Sequence, residues 1–277
     1  MDLFDRQWSS YRAIVEHNLM EHRQVADATA DALQGWLAQR PAQARAPSMV
    51  DLGCGDLALL APLLQRLPLG SYTGLDRAAV VLPLAQRALA SVPYACQWLE
   101  GDLLTWATTT ATATATATAA RPADRQGLAK AEDRTDGRKS AGSAAAADHG
   151  QKYVATAVDI LHSAFAIHHL DADQKATFLQ GARQRISADG VFLWADVFRE
   201  PGENRRDFLQ RYSERVRSDW HQLTAEQAQH VIDHLNQFDI PADRTSIQAT
   251  AETAGWHWRW SWQGTHRAEA LAVLTPA

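Results

Sequence analysis

The chain has 277 residues, 46% of them hydrophobic, and a formal charge of -5 at pH 7. That size and apolar content suit a globular protein with one large core or two modest ones, and the acidic balance gives no electrostatic footprint for a polyanion. Two cysteines, Cys54 and Cys96, cannot make a disulfide framework, so a reducing compartment is expected.

The N-terminus, MDLFDRQW, has no basic n-region and no apolar h-region. No stretch approaches the ~18 apolar residues of a membrane span, and a cytoplasmic location is the expectation. Residues 5 to 39 predict two helices, with Trp8, Tyr11, Val15 and Leu19 along the first and Val25, Ala32, Leu33 and Trp36 along the second. Pro41 and Pro47 close this N-terminal helical cap, 1–47. From Ser48 short apolar runs alternate with helical ones: "SMVDLG", then 57 to 67, "SYTGLD", then 78 to 90, "CQWLEGD". Such alternation predicts a parallel sheet with helices on its faces, an α/β domain over 48–277.

A Thr-Ala repeat followed by Ala, Gly, Ser, Arg and Asp interrupts the pattern from 107 to about 151. With so few large apolar residues it reads as a low-complexity, disordered insertion in a surface loop. The alternation resumes with "ATAVDILHSAF", a buried strand, and "HHLDADQ", where Asp171 and Gln174 have capping-box spacing. Gly190 then turns the chain into a fifth strand, "VFLWADVF". Helices over 204–218 and 224–238 and a third from Thr245 to Gly255 follow, with Thr224/Gln227 and Thr245/Gln248 as capping boxes. Two runs, "WHWRWSW" and "EALAVLT", are joined closely enough to be antiparallel neighbours.

Residues 49 to 56, "MVDLGCGD", run an apolar strand into a glycine turn before a helix, which brings backbone N–H groups close to a ligand. Gly53, Gly55 and Ala58 satisfy G-x-G-x-x-A, and Asp76 lies 21 residues beyond Gly55, so a dinucleotide fingerprint is formally met. Three features point away from a nicotinamide or flavin. Asp51, just before the glycines, suits a cationic ligand and repels a pyrophosphate. Asp102, in "LEGDLL", ends the third strand at the same sheet edge as Asp51 and Asp76. The terminal antiparallel pair also departs from an all-parallel dinucleotide domain.

Taken in order, "VDLGCGD", "YTGLD", "EGDLL", "DILHSAFAIHHL" and "GVFLWADVFREPGENR" resemble the class I S-adenosylmethionine-dependent methyltransferases over most of residues 5 to 277. The resemblance implies a Rossmann-like seven-stranded sheet with its last strand antiparallel, and S-adenosylmethionine across the carboxyl ends of the first four strands. It implies that Gly53 and Gly55 pack on the methionine part and that Asp51 holds its amino group. Asp76, with Arg77 beside it, takes the ribose hydroxyls, Asp102 and Leu103 meet the adenine, and Ser163, Ala164 and Phe165 line the sulfonium end. Helix capping is the commoner role of a single aspartate, but three at successive strand ends favour the cofactor.

Methyl transfer needs alignment and exclusion of water more than a covalent nucleophile. Where a proton must leave the acceptor, His168, His169 and Asp196 are the candidate bases, each with a structural alternative, and Trp194 is core or pocket wall. Tyr11, Asn18, His22 and Arg23 fall where family members cover the cofactor. The arginine-rich stretch 199 to 217 reads as a solvated amphipathic helix with an Asp207–Arg211 pair and an apolar stripe of Phe208, Leu209, Tyr212 and Val216. As part of a pocket-walling insertion, 204–238, it offers Arg199, Arg205 or Tyr212 to an acidic substrate. No metal-ligand set is read from the spacing. The expected function is methylation of an O, N or C atom of a small metabolite, without nucleic acid or membrane as partner and with a homodimer left open. An RNA or protein methyltransferase, an inactive S-adenosylmethionine-binding regulator and a nicotinamide enzyme stand as rivals.

Overall fold

A computed structural model describes residues 3–109 and 157–277. Helices α1 (Leu3–Glu16) and α2 (His22–Ala38) precede β1 (Ser48–Leu52), α3 (Ala61–Leu64), β2 (Ser71–Asp76), α4 (Leu82–Ala88), β3 (Ala95–Glu100) and α5 (Leu103–Thr108). The disordered insertion expected from about 107 lies, from residue 110 on, outside the described residues. Ala107 and Thr108 instead belong to α5, where Ala107 is buried against Gly181. After it come β4 (Val158–Ala164), a 3₁₀ turn (Ile167–His169), α6 (Ala172–Arg185) and β5 (Ile186–Arg199). The remainder is α7 (Arg205–Asp219), α8 (Ala225–Phe238), the two-residue β6 (Ala242–Asp243), α9 (Arg244–Thr253), β7 (Trp256–Gln263) and β8 (Glu269–Pro276).

Among the described residues the strands pair in the order β3-β2-β1-β4-β5-β8-β7, with β6 beside the end of β5. The pairs from β3 to β5 are parallel, and β8 enters antiparallel between β5 and β7. The chain winds outward from β1 to β3 and returns to β4, so the strand order reverses between β1 and β4. That reversal opens a crevice at the carboxyl ends of the strands. Strands β1, β4 and β5 are buried almost continuously because both sheet faces are covered. Edge strand β7 alternates: Trp256, Trp258 and Trp260 turn toward Phe192, Trp194 and Phe198 of β5, while His257, Arg259 and Ser261 face out.

Helix α2 shares the core of the sheet, with Val25 and Leu33 packed among Met49, Ile160 and Leu271. Helices α7 and α8 form a second apolar cluster in which Phe208, Tyr212 and Val216 meet Ile14 and Leu19. A buried ion pair ties this layer together. Arg215 Nη1 donates to Glu269 Oε1 at 2.7 Å, its Nη2 donates to the Leu19 carbonyl at 2.8 Å, and Tyr212 donates its hydroxyl to the same glutamate.

Several local expectations are corrected. The helix expected over 57 to 67 is a single turn, because Leu57 takes a left-handed φ of 60° and Pro62 opens the turn. The one over 78 to 90 starts at Leu82, with Pro83 in its first turn. Gly190 lies within β5, at the bulge between Ile186 and Val191 where the ladder to β4 shifts register, and a Cβ there would meet Ile186 Cγ1 at 2.5 Å and the Asp159 carbonyl at 3.0 Å. Asp243, not Thr245, caps α9 by accepting from Ser246 N at 2.9 Å. Arg211 pairs with Glu203 through two hydrogen bonds of 2.9 Å, a bidentate geometry that wins over the expected Asp207. The capping boxes at Asp171/Gln174 and Thr224/Gln227 form as read.

Candidate functional site

The carboxyl ends of β1, β2, β3 and β4, roofed by α1 and α2, enclose a cavity of about 400 Å³. Its floor is the glycine turn. Gly53 and Gly55 adopt φ of +76° and +55°, and a Cβ on Gly53 would stand 2.5 Å from that of Ala166 in the loop after β4. Only glycine lets these two segments approach so closely. The turn is fastened to β2: Gly53 N and Cys54 N donate to the Leu75 carbonyl at 2.8 and 3.1 Å.

Asp76 completes that fastening. Its Oδ2 accepts from Gly55 N and its Oδ1 from Ala78 N, each at 2.8 Å. These bonds orient the carboxylate at the cavity wall and leave it further lone pairs. Burial raises its pKa, against the opposing pull of the two backbone donors. Arg77 follows, exposed, with Nε 3.9 Å from Asp102 Oδ2. Asp102 caps α5 through Oδ1, which accepts from Thr105 N at 2.9 Å, and lines the cavity beside Leu103.

Asp51 also lines the cavity, though it is 2% exposed and held from both sides. Tyr72 donates its hydroxyl to Oδ2 at 2.9 Å, and His162 Nδ1 lies 2.7 Å from Oδ1. The three side chains cross three adjacent strands, since His162 sits directly opposite Asp51 in the β1–β4 ladder. Phe165, with a left-handed φ of 53°, lays its ring 4.8 Å from that of His22. His22 and Thr29 from α2 line the roof, and both are buried with Nδ1 and Oγ1 lacking a protein partner. Burial lowers the His22 pKa to about 4.

Four carboxylates (Asp51, Asp56, Asp76 and Asp102) and one guanidinium, Arg77, line the cavity among the described residues. That balance suits a ligand with cationic groups and repels a pyrophosphate. The orphaned His22 and Thr29 atoms call for a polar ligand at the roof.

Some expected site residues fall elsewhere. Ser163 is fully buried and donates its hydroxyl to the Leu52 carbonyl at 2.8 Å, so it braces β1 against β4 behind the wall; its neighbours Ala164 and Phe165 line the cavity instead. Of the candidate bases only His169 reaches the lining. His168 turns inward, its Nδ1 at 2.5 Å from Asp196 Oδ1, and Asp196 further accepts from His168 N, Trp194 Nε1 and Val197 N. The two rings lie 4.0 Å apart between centroids, with His168 on the inner side, against Asp196, and His169 on the side of the cavity. Burial, then the adjoining His168, lowers the His169 pKa to about 3.

The insertion likewise contributes nothing to the cavity lining among the described residues. Arg199 donates to the Pro241 and Glu203 carbonyls, Arg205 to those of Asp239 and Asn236, and Tyr212 to Glu269. On the cap, Tyr11 lines the cavity with His22, its Oη 3.7 Å from where a Gly55 Cβ would stand. Asn18 and Arg23 instead bond each other and close the α1–α2 turn. Sequence reasoning missed His162, Thr29 and Asp56. A lone histidine in an otherwise apolar strand was the available signal for the first.

No family model matches the chain. A trans-aconitate 2-methyltransferase from Azoarcus sp. is 34% identical over 87 residues, 31% of this chain and 32% of that protein, so the match spans about a third of the relative. Among solved structures, the CMeT domain of the citrinin polyketide synthase superposes with a TM-score of 0.51 at 12% identity, covering 89% of this chain and 51% of that one. The YcgJ protein of Bacillus subtilis gives 0.52 at 9% identity over 92% and 99% of the two chains. The strand order with its antiparallel β8 and these likenesses show that the chain has the fold of a Rossmann-like methyltransferase domain.

Proposed function

We propose that the protein transfers a methyl group from S-adenosylmethionine to an O, N or C atom of a small cytoplasmic metabolite. The observation that carries this reading is the acidic cavity at the strand-order reversal, where the ends of β1, β2 and β3 each present an aspartate. Its volume of about 400 Å³ lies within the range of small-molecule and cofactor sites.

The residues fit the cofactor. Asp76 takes the ribose hydroxyls, Asp102 Oδ2 the adenine amine, and Leu103 covers a face of the ring. Asp51, already shared with Tyr72 and His162, contributes negative potential near the amino group more than a free hydrogen-bonding oxygen. Gly53 and Gly55 admit the methionine part, and Phe165 borders the sulfonium end. When bound, the cofactor supplies an activated methyl group on a sulfonium. The chain's own work is to hold the reactants in line and exclude water, which the α1–α2 roof and the apolar walls of Leu57, Leu60, Val81 and Leu103 do. His169, at the cavity edge, borders the space left for the acceptor.

Asp76→Ala tests the reading. Loss of a charged acceptor for two hydroxyls removes about 1.5–3 kcal/mol, a rise in Kd for S-adenosylhomocysteine of roughly 10- to 100-fold. Asp76→Asn, which keeps the shape of the side chain, should fall between. Unchanged affinity in a folded Asp76→Ala variant would remove the assignment.

A further inference from the structure

Beside the cavity, three imidazoles converge on one buried carboxylate oxygen. Asp239, just after α8, is 3% exposed, and its Oδ1 has no hydrogen-bond donor. Around that atom stand His169 Nδ1 at 3.5 Å, His168 Nε2 at 3.6 Å and His234 Nε2 at 3.6 Å. Each separation is too long for a hydrogen bond. A buried carboxylate oxygen left without a partner is costly, and three imidazole nitrogens at one non-bonding distance do not relieve it.

The same distances suit ligands of a shared cation. Tetrahedral zinc with bonds of ~2.0–2.1 Å sets its ligand atoms about 3.3 Å apart. His168, His169 and Asp239 each offer a ligand atom within 4.8 Å of the others, and His234, half-exposed near the end of α8, adds its Nε2 at 3.6 Å from the same Asp239 oxygen. The backing is of the kind that metal-binding histidines carry. Asp196 holds His168 Nδ1, which fixes the tautomer and leaves the Nε2 lone pair toward Asp239. Asp196 is itself pinned by Trp194 Nε1 and two backbone amides. The nearby cation Lys175 is engaged by the Leu170 and Ile240 carbonyls. His169 and His234, with side chains 41% and 42% exposed, leave a solvent path for entry.

We propose that His168, His169 and Asp239, with His234 as fourth ligand, bind one zinc-type divalent cation. Asp196 acts as the positioning residue. The ligands come from the turn after β4 and from the end of α8, so the cation bolts the helical insertion to the segment that walls the cavity.

The test uses the full chain, stripped with chelator and titrated with Zn²⁺ against a chromophoric competitor, and with Co²⁺ read by its visible d–d bands. One equivalent should bind with sub-micromolar affinity, with tetrahedral Co²⁺ absorption and no competition from Mg²⁺, which prefers oxygen ligands. His169→Ala and His234→Ala, which truncate half-exposed side chains, should weaken binding at least ~10-fold while circular dichroism stays unchanged. Asp196→Asn should weaken it ~10- to 100-fold. Failure to bind stoichiometrically, Mg²⁺ competing equally, or binding undiminished in a folded His169→Ala/His234→Ala double variant would each overturn the proposal.

Discussion

Replacing His22 by Gln should flatten the acid side of the protein's stability curve. Burial at the cavity roof lowers the His22 pKa from 6.5 to about 4. Between those values the unfolded chain takes up a proton that the folded chain does not, so stability falls as pH drops below 6.5 and this loss is complete near pH 4. Carried from pH 7.5 to 5, the unequal uptake extends over about 1.5 pH units, and at ~1.36 kcal/mol per unit it costs about 2 kcal/mol. Urea denaturation of wild type and His22→Gln at both pH values isolates the contribution, because every other titrating group is common to the two proteins. With a slope of ~2 kcal/mol per molar, the wild-type midpoint should lose roughly 1 M more than that of the variant. Equal losses would show that His22 is solvated or protonated in the folded protein, and the description of a dry roof would be wrong.

Two further predictions concern packing. Arg215→Ala leaves the fully buried Glu269 with only the Tyr212 hydroxyl and frees the Leu19 carbonyl. Removing one partner of such a pair costs about 3–5 kcal/mol, to be read by equilibrium unfolding, and a loss below ~1 kcal/mol would mean that water reaches the glutamate. Gly181→Ala drives a Cβ to 2.4 Å from the Ala107 carbonyl oxygen. Because backbone must move, overpacking of about 1–3 kcal/mol is expected in a thermal or urea melt; a neutral result would show that α5 slides freely over α6.

Asp51, Asp76 and Asp102 were legible because each closes a short apolar run, and consecutive parallel strands bring their carboxyl ends to one edge. Orientation was harder to read. His168 and His169 are neighbours in sequence, yet one turns to Asp196 and the other to the cavity, a choice made by the 3₁₀ turn and by the acceptor waiting on β5. Ser163 precedes Ala164 on β4, with Phe165 just beyond the strand, but its alternation sends it toward β1 and the Leu52 carbonyl. Asp207 has the right spacing for Arg211, and Glu203 outcompetes it by offering two oxygens. The four-residue cluster at Asp239 was invisible to spacing because its ligands lie in two segments some seventy residues apart, joined only when α8 packs beside the turn after β4.

The most direct measurement is calorimetric titration of the purified chain with S-adenosylmethionine and S-adenosylhomocysteine, with NAD as control. Saturable one-to-one binding of both adenosyl ligands, and none of NAD, is the predicted result. Binding of NAD, or of neither adenosyl ligand, would contradict the assignment of the acidic cavity.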